Sequence, residues 1–154
     1  MTRQVRSAAG DGSVLLAASL LLTACAALPG LSTAPPLEGT SWRLTGLLGQ
    51  ALPAGQASTL QFEGMRASGS DGCNRYTGPY TQTGADLRLG PGLASTRMAC
   101  PGDLQHRADV FLRALVDARR YRVRSSATGD RLDLLAADGG VIASFAAQED
   151  AERR

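Results

Sequence analysis

Residues 131–147 read RLDLLAADGGVIASFAA, and this stretch decides the fold class. Apolar side chains alternate with polar or small ones on both sides of a central Asp-Gly-Gly run. The positions predicted to face inward are Leu132, Leu134, Val141, Ala143 and Phe145. Alternation with a period of two predicts strands that have one buried face, and a glycine-rich turn between two such runs predicts an antiparallel hairpin.

The same alternation recurs along the rest of the chain. Its inward-facing pairs are Trp42 and Leu44, Leu60 and Phe62, Leu87 and Leu89, and Tyr121 and Val123. Further strands are expected near residues 66–69, 75–82 and 94–98. About eight short antiparallel strands with one apolar face predict a mainly β fold that closes into a barrel.

One segment has the period of a helix instead. Its apolar residues, which fall on a single helical face, are Leu104, Ala108, Phe111, Leu112 and Leu115. Pro101-Gly102-Asp103 supplies a turn and an N-cap in front of them. The sequence therefore predicts one α-helix over about 103–119, packed on the sheet or across one end of the barrel.

Residues 1–24 predict a lipoprotein signal peptide. A basic start precedes the apolar run VLLAASLLLTA at residues 14–24, which as a helix spans about 16 Å and is too short for a ~30 Å hydrocarbon core. The run ends in Leu22-Thr23-Ala24-Cys25, which resembles the lipobox of bacterial lipoproteins. The resemblance implies that Cys25 is acylated and becomes the N-terminus; the alternative is an ordinary cleavage site. Ala26 then implies the outer membrane, facing the periplasm, in a Gram-negative cell.

The remaining chain divides into three parts by composition. Residues 25–36 are rich in Pro and small residues and predict a flexible tether. Residues 37–147 carry the alternating pattern and form the predicted domain, and residues 148–154 are a charged tail.

The charge balance argues against a nucleic-acid binder. Sixteen basic residues, all of them Arg, stand against fourteen acidic ones, a formal net charge of +2. Loss of residues 1–24 removes two Arg and one Asp, which leaves fourteen against thirteen, or +1. We therefore expect no nucleic-acid or other polyanionic partner. We expect a monomer whose partners are a membrane, reached through the lipid anchor, and an envelope protein.

The chain has three cysteines, one expected to carry a lipid and two available for a disulfide. With Cys25 assigned to the lipid, Cys73 and Cys100 remain in a chain expected to reach an oxidising compartment. A disulfide between them would close a loop of 28 residues (100 − 73 + 1), which by loss of chain entropy is worth about 3.5 kcal/mol. The alternative, a redox-active thiol pair, lacks the C-x-x-C spacing.

Several motifs together resemble the META, or HslJ-like, domain. They are Leu37-Glu38-Gly39-Thr40-Ser41-Trp42, Gly69-x-x-Gly72-Cys73-Asn74-Arg75-Tyr76-x-Gly78-x-Tyr80, Ser95-Thr96-Arg97-Met98-Ala99-Cys100, and the closing Leu132-x-Leu134 to Phe145. The resemblance covers nearly all of residues 37–147. It implies an eight-stranded barrel of lipocalin-like topology with one helix, in secreted or lipid-anchored bacterial proteins linked to heat shock and envelope stress, without an established catalytic activity.

The residues give no catalytic constellation, so we expect a protein that is not an enzyme and has no cofactor or metal. The single histidine, His106, is expected on the solvated side of the helix. The residues that could form a binding surface are Asn74, Arg75, Tyr76, Thr96 and Arg97. In that hypothesis an arginine meets a carboxylate or phosphate and Tyr76 supplies apolar contact. In the alternative, Asn74 and Thr96 satisfy backbone groups, Tyr76 packs and the arginines are solvated.

These observations favour a non-catalytic envelope lipoprotein that acts in envelope or heat-shock stress tolerance through protein or cell-envelope contacts. A second hypothesis is a small β-barrel inhibitor of a lytic enzyme, of the lysozyme- or protease-inhibitor type. A third is a carrier that holds a small apolar ligand in the barrel, although the inward-facing leucines indicate a filled core.

Overall fold

A computed structural model describes residues 34–52 and 58–148. Residues Ser32–Arg154 form a compact unit of their own, and every described element lies within it. The elements in chain order are β1 (Thr40–Leu47), β2 (Gln50–Ala51), β3 (Thr59–Glu63), β4 (Arg66–Ser70), β5 (Arg75–Thr83), β6 (Asp86–Leu89), β7 (Ala94–Ser95), α1 (Leu104–Asp117), β8 (Arg120–Ser126), β9 (Gly129–Leu135) and β10 (Val141–Ala147).

The ten strands of the described residues form one antiparallel sheet that closes on itself. Eight of them make the ring β1-β3-β4-β5-β6-β8-β9-β10, and β10 returns to pair with β1. The two-residue strands β2 and β7 pair with β1 and β5. The prediction of a mainly β, barrel-like fold with one helix is confirmed. Eight of the predicted strand segments are in the ring, and the one near residues 94–98 contains β7, which lies outside it.

Large apolar side chains fill the interior of the ring. The largest of those that are fully buried are Tyr121, Phe62, Phe111, Phe145, Leu37, Leu60, Leu87, Leu115, Leu132 and Leu134. The period-two alternation therefore identifies the inward face correctly on most strands. Val141 is an exception, because β9 and β10 shift register between Val141 and Ala143 and this bulge leaves Val141 40% exposed.

The helix is shorter than the sequence predicts. It begins at Leu104, and Asp103 holds the N-cap position without making a side-chain hydrogen bond there. It ends at Asp117 because Ala118 adopts an extended conformation, with φ −59° and ψ 135°. The apolar stripe packs against the ring interior as expected. Ala108, Phe111 and Leu115 of the predicted stripe are buried, Leu104 and Leu112 are half-buried, and Ala114 is buried beside them. Among the described residues, no helix is long and apolar enough to cross a membrane.

Candidate functional site

The sharp turn that precedes β5 is organised by one buried carboxylate. Oδ1 of Asp71 accepts hydrogen bonds from the backbone N–H groups of Cys73 (2.8 Å) and Asn74 (2.6 Å). Gly72, between Asp71 and Cys73, has φ +99°, a backbone conformation that residues with a Cβ rarely adopt. The turn thereby presents Cys73 and Asn74 to the segment that follows β7.

Residues 96–100 are held against this turn by two links. Cys73 and Cys100 are joined by a disulfide with their Cα atoms 6.0 Å apart, the pair that the cysteine count indicates. Asn74 is 4% exposed, and its Oδ1 accepts hydrogen bonds from the hydroxyl of Thr96 (2.9 Å) and the backbone N–H of Met98 (2.8 Å). Because a side chain takes the place of a neighbouring strand, β7 ends at Ser95 and does not extend to the predicted residue 98.

Tyr76 belongs to the core. It is 2% exposed, its hydroxyl donates to the carbonyl of Thr59 (2.6 Å), and its ring packs edge-on against Phe111 at a centroid distance of 5.8 Å. Burial, followed by the nearby Asp71 carboxylate, raises the pKa of Tyr76 well above its usual range. The side chain therefore stays neutral and supports α1 from inside the ring.

Residues 94–98 separate two open grooves on the outer surface. One groove of about 820 Å³ runs over β3, β4 and β5 and is lined in part by Arg75 and Met98. The other, of about 770 Å³, lies towards α1 and is lined in part by Arg97 and again by Met98. Met98 is 59% exposed, and both arginines are exposed. The ridge between the grooves thus exposes one cation, Arg97, and one flexible apolar side chain, Met98, while Arg75 lies beside it on β5.

The five residues of the predicted binding surface are only partly brought together. Asn74 and Tyr76 are buried, so Tyr76 cannot supply the apolar contact of the binding hypothesis, and the hydroxyl of Thr96 is engaged with Asn74. Arg75 and Arg97 are exposed but face different grooves. Met98 was missed, although it lies inside the quoted Thr-Arg-Met-Ala-Cys run. Cys25, the predicted lipidation site, lies outside the described residues.

A second polar cluster, which the sequence did not single out, lies on the outer face of β8, β9 and β10. Asp133 is 2% exposed, and its Oδ2 lies 3.3 Å from Nη2 of Arg122 and 3.3 Å from Nη2 of Arg124. Its Oδ1 accepts from Nε of Arg131 (3.0 Å) and from the hydroxyl of Ser144 (2.8 Å). Burial raises the pKa of Asp133, but the hydrogen bonds from Ser144, Arg131 and Arg122 outweigh it and the net pKa is lowered.

No metal-binding cluster stands out in the described part of the chain. There, no group of three or more His, Cys, Asp and Glu side chains is placed to hold a metal ion. His106 is exposed on α1, at the border of a small apolar cavity of about 290 Å³.

Comparisons with known proteins agree with this architecture. The family model described as META domain matches residues 35–149. A solved structure, the NMR structure of a protein from Burkholderia xenovorans, is similar with a TM-score of 0.61 at 28% identity, and covers 79% of this chain and 97% of its own. The search of curated proteins returned no match. Because the family model spans more than half of the sequence and the whole strand ring, the chain belongs to the META domain family.

Proposed function

We propose that the protein is a non-catalytic lipoprotein of the bacterial envelope that acts in stress tolerance by contacting a protein or envelope component. The observation that carries the proposal is the ridge of residues 94–98. A disulfide and a buried asparagine hold a segment without regular structure in one conformation, and the exposed side chains of Arg97 and Met98 project from it. Preorganised segments with an arginine and a methionine between open grooves are suited to binding a partner.

The filled interior of the ring favours surface contact over ligand transport. Tyr121, Phe62, Phe145 and the inward leucines occupy the space that a carried apolar molecule would need. The described cavities lie on the outside or at the margin of the ring. Native mass spectrometry of the purified protein tests this point, since a co-purified apolar ligand would favour the carrier hypothesis.

The ridge is tested by removing its exposed Arg97 and Met98 side chains together with the neighbouring Arg75 side chain of β5. The triple variant R75A/R97A/M98A keeps the backbone N–H of residue 98 that Asn74 binds, so the ridge itself should persist. We expect it to fail to restore heat or envelope-stress survival in a deletion strain while its melting temperature stays near that of the wild type. The matched variant R88A/R113A removes two exposed arginines elsewhere and should restore survival. Full survival with the triple variant would overturn the proposal.

The partner is sought by crosslinking and pull-down from envelopes with the lipidated protein. The control is Cys73→Ser, which removes the disulfide and frees residues 96–100 from one of their two links. A partner captured by the wild type and lost with both Cys73→Ser and R75A/R97A/M98A supports the ridge. If the partner is a lytic enzyme, dose-dependent inhibition of its activity would favour the inhibitor hypothesis over a stress role.

The proposed anchor places the domain at the cell envelope, on the periplasmic side of the outer membrane in a Gram-negative cell. Support comes from the sequence Leu22-Thr23-Ala24-Cys25. Two or three acyl chains would hold the protein on a membrane permanently, since each buried CH₂ contributes about 0.8 kcal/mol. Mass spectrometry of protein from native membranes decides the matter: an unmodified N-terminus at or after Cys25 would refute the anchor.

A further inference from the structure

The outer face of β8 and β9 carries more positive charge than its buried carboxylate requires. One guanidinium would neutralise Asp133, yet Arg122, Arg124 and Arg131 all contact it and leave a local excess of two positive charges (three minus one). The side chains of these arginines remain 45%, 58% and 57% exposed. Arg122 and Arg124 each contact Asp133 through Nη2 alone, so most of the N–H donors of these two guanidinium groups are not used by the carboxylate.

The positions of these arginines on the sheet add to the local charge. Arg124 and Arg131 are directly opposite each other on β8 and β9, a like-charge pair that destabilises a sheet. The same row continues through Ala146 on β10 to Arg43 on β1. Asp130, the nearest other acid on β9, alternates to the opposite face. Asp133 contacts both of these arginines and offsets part of their repulsion, but one carboxylate needs only one of the guanidinium groups gathered around it.

A depression beside the arginines gives this face a concave shape. It measures about 470 Å³ and lies between the β1–β2 hairpin and the outer face of β9 and β10. Its polar lining consists of Thr45, Gln50, Arg124, Arg131, Ser144 and the Asp133 carboxylate that both arginines contact. Both strands that border it are irregular, with register shifts next to Gly46 on β1 and Ala143 on β10. An oxyanion in the depression would meet two guanidinium groups whose orientation Asp133 already fixes.

The described chain begins next to the strand that carries two of these arginines. The carbonyl of Pro35 accepts a hydrogen bond from the hydroxyl of Tyr121 (2.5 Å), the residue before Arg122. Cys25 precedes Ala34 by nine residues (34 − 25), a span of at most about 30 Å. A lipid anchor at Cys25 would therefore keep β8 within reach of the membrane surface.

We propose that Arg122, Arg124 and Arg131, here called the arginine face, bind the phosphate groups of anionic lipid head groups. Guanidinium groups pair with phosphate through two parallel hydrogen bonds, and cations near an anionic bilayer gain additional long-range attraction. The near-neutral net charge of the whole chain conceals this local excess. The choice of lipid as the source of the phosphate rests on the proposed anchor, whereas the phosphate chemistry rests on the arginine face alone.

The experiment measures vesicle binding without any acyl chain. Residues 32–154, which contain the whole ring and its core, are sedimented at low salt with vesicles of phosphatidylcholine or of equal parts phosphatidylcholine and phosphatidylglycerol. We expect preference for the anionic vesicles and a loss of at least about tenfold in partitioning for R122Q/R124Q. That variant leaves the bonds of Arg131 to Asp133 and Ser144 in place. R43Q, which does not touch Asp133, should lose about threefold.

The matched control is R88Q/R113Q, which removes the same charge from β6 and α1 and should partition within about twofold of the wild type. Equal losses in the two double variants, or equal binding to both vesicles, would overturn the proposal. Calorimetric titration with pyrophosphate distinguishes a lipid head group from a free phosphate as the ligand. Saturable pyrophosphate binding that R122Q/R124Q abolishes, together with equal binding to both kinds of vesicle, would refute the lipid assignment. Because no variant uses Cys25, an unacylated Cys25 would refute the anchor and leave the vesicle result standing.

Discussion

Asn74 does at the scale of one residue what a strand would otherwise do for residues 96–98. Its Oδ1 satisfies both the hydroxyl of Thr96 and the N–H of Met98 in a partly buried position. We predict that Asn74→Ala lowers the free energy of unfolding by about 1–3 kcal/mol, because the two donors lose their acceptor. The hydrogen bond from the backbone N–H of residue 74 to Asp71 does not depend on the side chain and should persist. Urea denaturation followed by circular dichroism measures the change.

The control for this prediction is Gln105→Ala. Gln105 is an exposed amide whose one hydrogen bond, to Asp109 (2.9 Å), lies on the surface of α1. Its removal should alter stability by less than about 0.5 kcal/mol. Equal stability of Asn74→Ala and the wild type would mean that the disulfide and the hydrogen bonds between Thr96 and Arg75 hold residues 96–98 without Asn74.

Asp133 predicts a dependence of stability on pH. Its pKa is lower in the folded protein than the ordinary value of 3.8, so its carboxylate contributes stability that is complete above that value. The contribution is lost as the pH falls through the folded pKa. We predict that Asp133→Asn is less stable than the wild type by about 1–3 kcal/mol at neutral pH, since charge-assisted hydrogen bonds are lost. The difference should shrink at pH values below about 3.8.

Denaturant unfolding of both proteins from pH 7 to pH 2 checks this prediction. Asp130→Asn is the matched control, because Asp130 is an exposed aspartate on the same strand, three residues earlier. Its difference from the wild type should remain within about 0.5 kcal/mol throughout. A stability difference for Asp133→Asn that does not vary with pH would contradict the role given to the ionised carboxylate.

At the scale of the elements, Gly69 allows β3 and β4 to approach closely. A Cβ at this position would overlap the carbonyl oxygen of Thr59 and lie 2.8 Å from its carbonyl carbon. Both of these atoms belong to the backbone, so the strands themselves would have to move. We predict that Gly69→Ala lowers the free energy of unfolding by about 1–3 kcal/mol, measured by thermal or urea denaturation.

Gly46 provides the comparison for that substitution. A Cβ on Gly46 would meet the carbonyl oxygen of Gln50 at 3.4 Å and Cβ of Ser144 at 3.6 Å, which are ordinary contacts. Gly46→Ala should therefore be tolerated with a much smaller change in melting temperature. If both variants melt together, crowding between β3 and β4 is not what requires glycine at position 69.

The elements that the sequence predicts well are those in which alternation alone decides which face is buried. Trp42, Leu44, Leu60 and Phe62 all lie in the core as expected. The bulge beside Val141 could not be predicted, because nothing in the apolar and polar pattern of the strand marks it. One unpaired residue there is enough to turn the preceding side chain from the inner to the outer face of the sheet. Nor could the end of β7, because the competing acceptor is a side chain twenty-four residues away (98 − 74).

The candidate sites were harder to predict than the strands for a related reason. Asn74 and Tyr76 lie in the Gly-Cys-Asn-Arg-Tyr run, and Met98 lies in the Thr-Arg-Met-Ala-Cys run. Only the fold decides that the first two are buried and that Met98 faces solvent. The arginine face is less visible still. Its members are separated by up to nine positions in the chain (131 − 122) and meet only because β8 and β9 pair in one particular register.

At the scale of the whole molecule, the ring closes through seams of unequal strength. β1 and β10 pair along five residue positions, from Trp42 with Ala147 to Leu47 with Ala143. β6 and β8 pair only at Asp86 with Arg120. The hydrogen bonds that flank this pair run from Leu87 N–H to the Arg119 carbonyl and from Tyr121 N–H to the Ala85 carbonyl (2.9 and 3.0 Å). The chain between these two strands supplies β7 and α1, so the ring is completed there by packing more than by a ladder.

This asymmetry predicts where the native ring opens first. Local openings follow the weakest set of backbone hydrogen bonds, so the seam between β6 and β8 should open at a lower free energy than the seam between β1 and β10. The N–H of Leu44 donates to the carbonyl of Ser58, on the β3 side of β1, so the neighbouring N–H of Arg43 faces β10. In native-state hydrogen exchange, the amides of Leu87 and Tyr121 should exchange faster than those of Arg43 and Ala146, which lie opposite each other in the longer seam. Equal protection of the four amides would mean that α1 closes the short seam as firmly as the ladder closes the long one, and that the ring opens only by global unfolding.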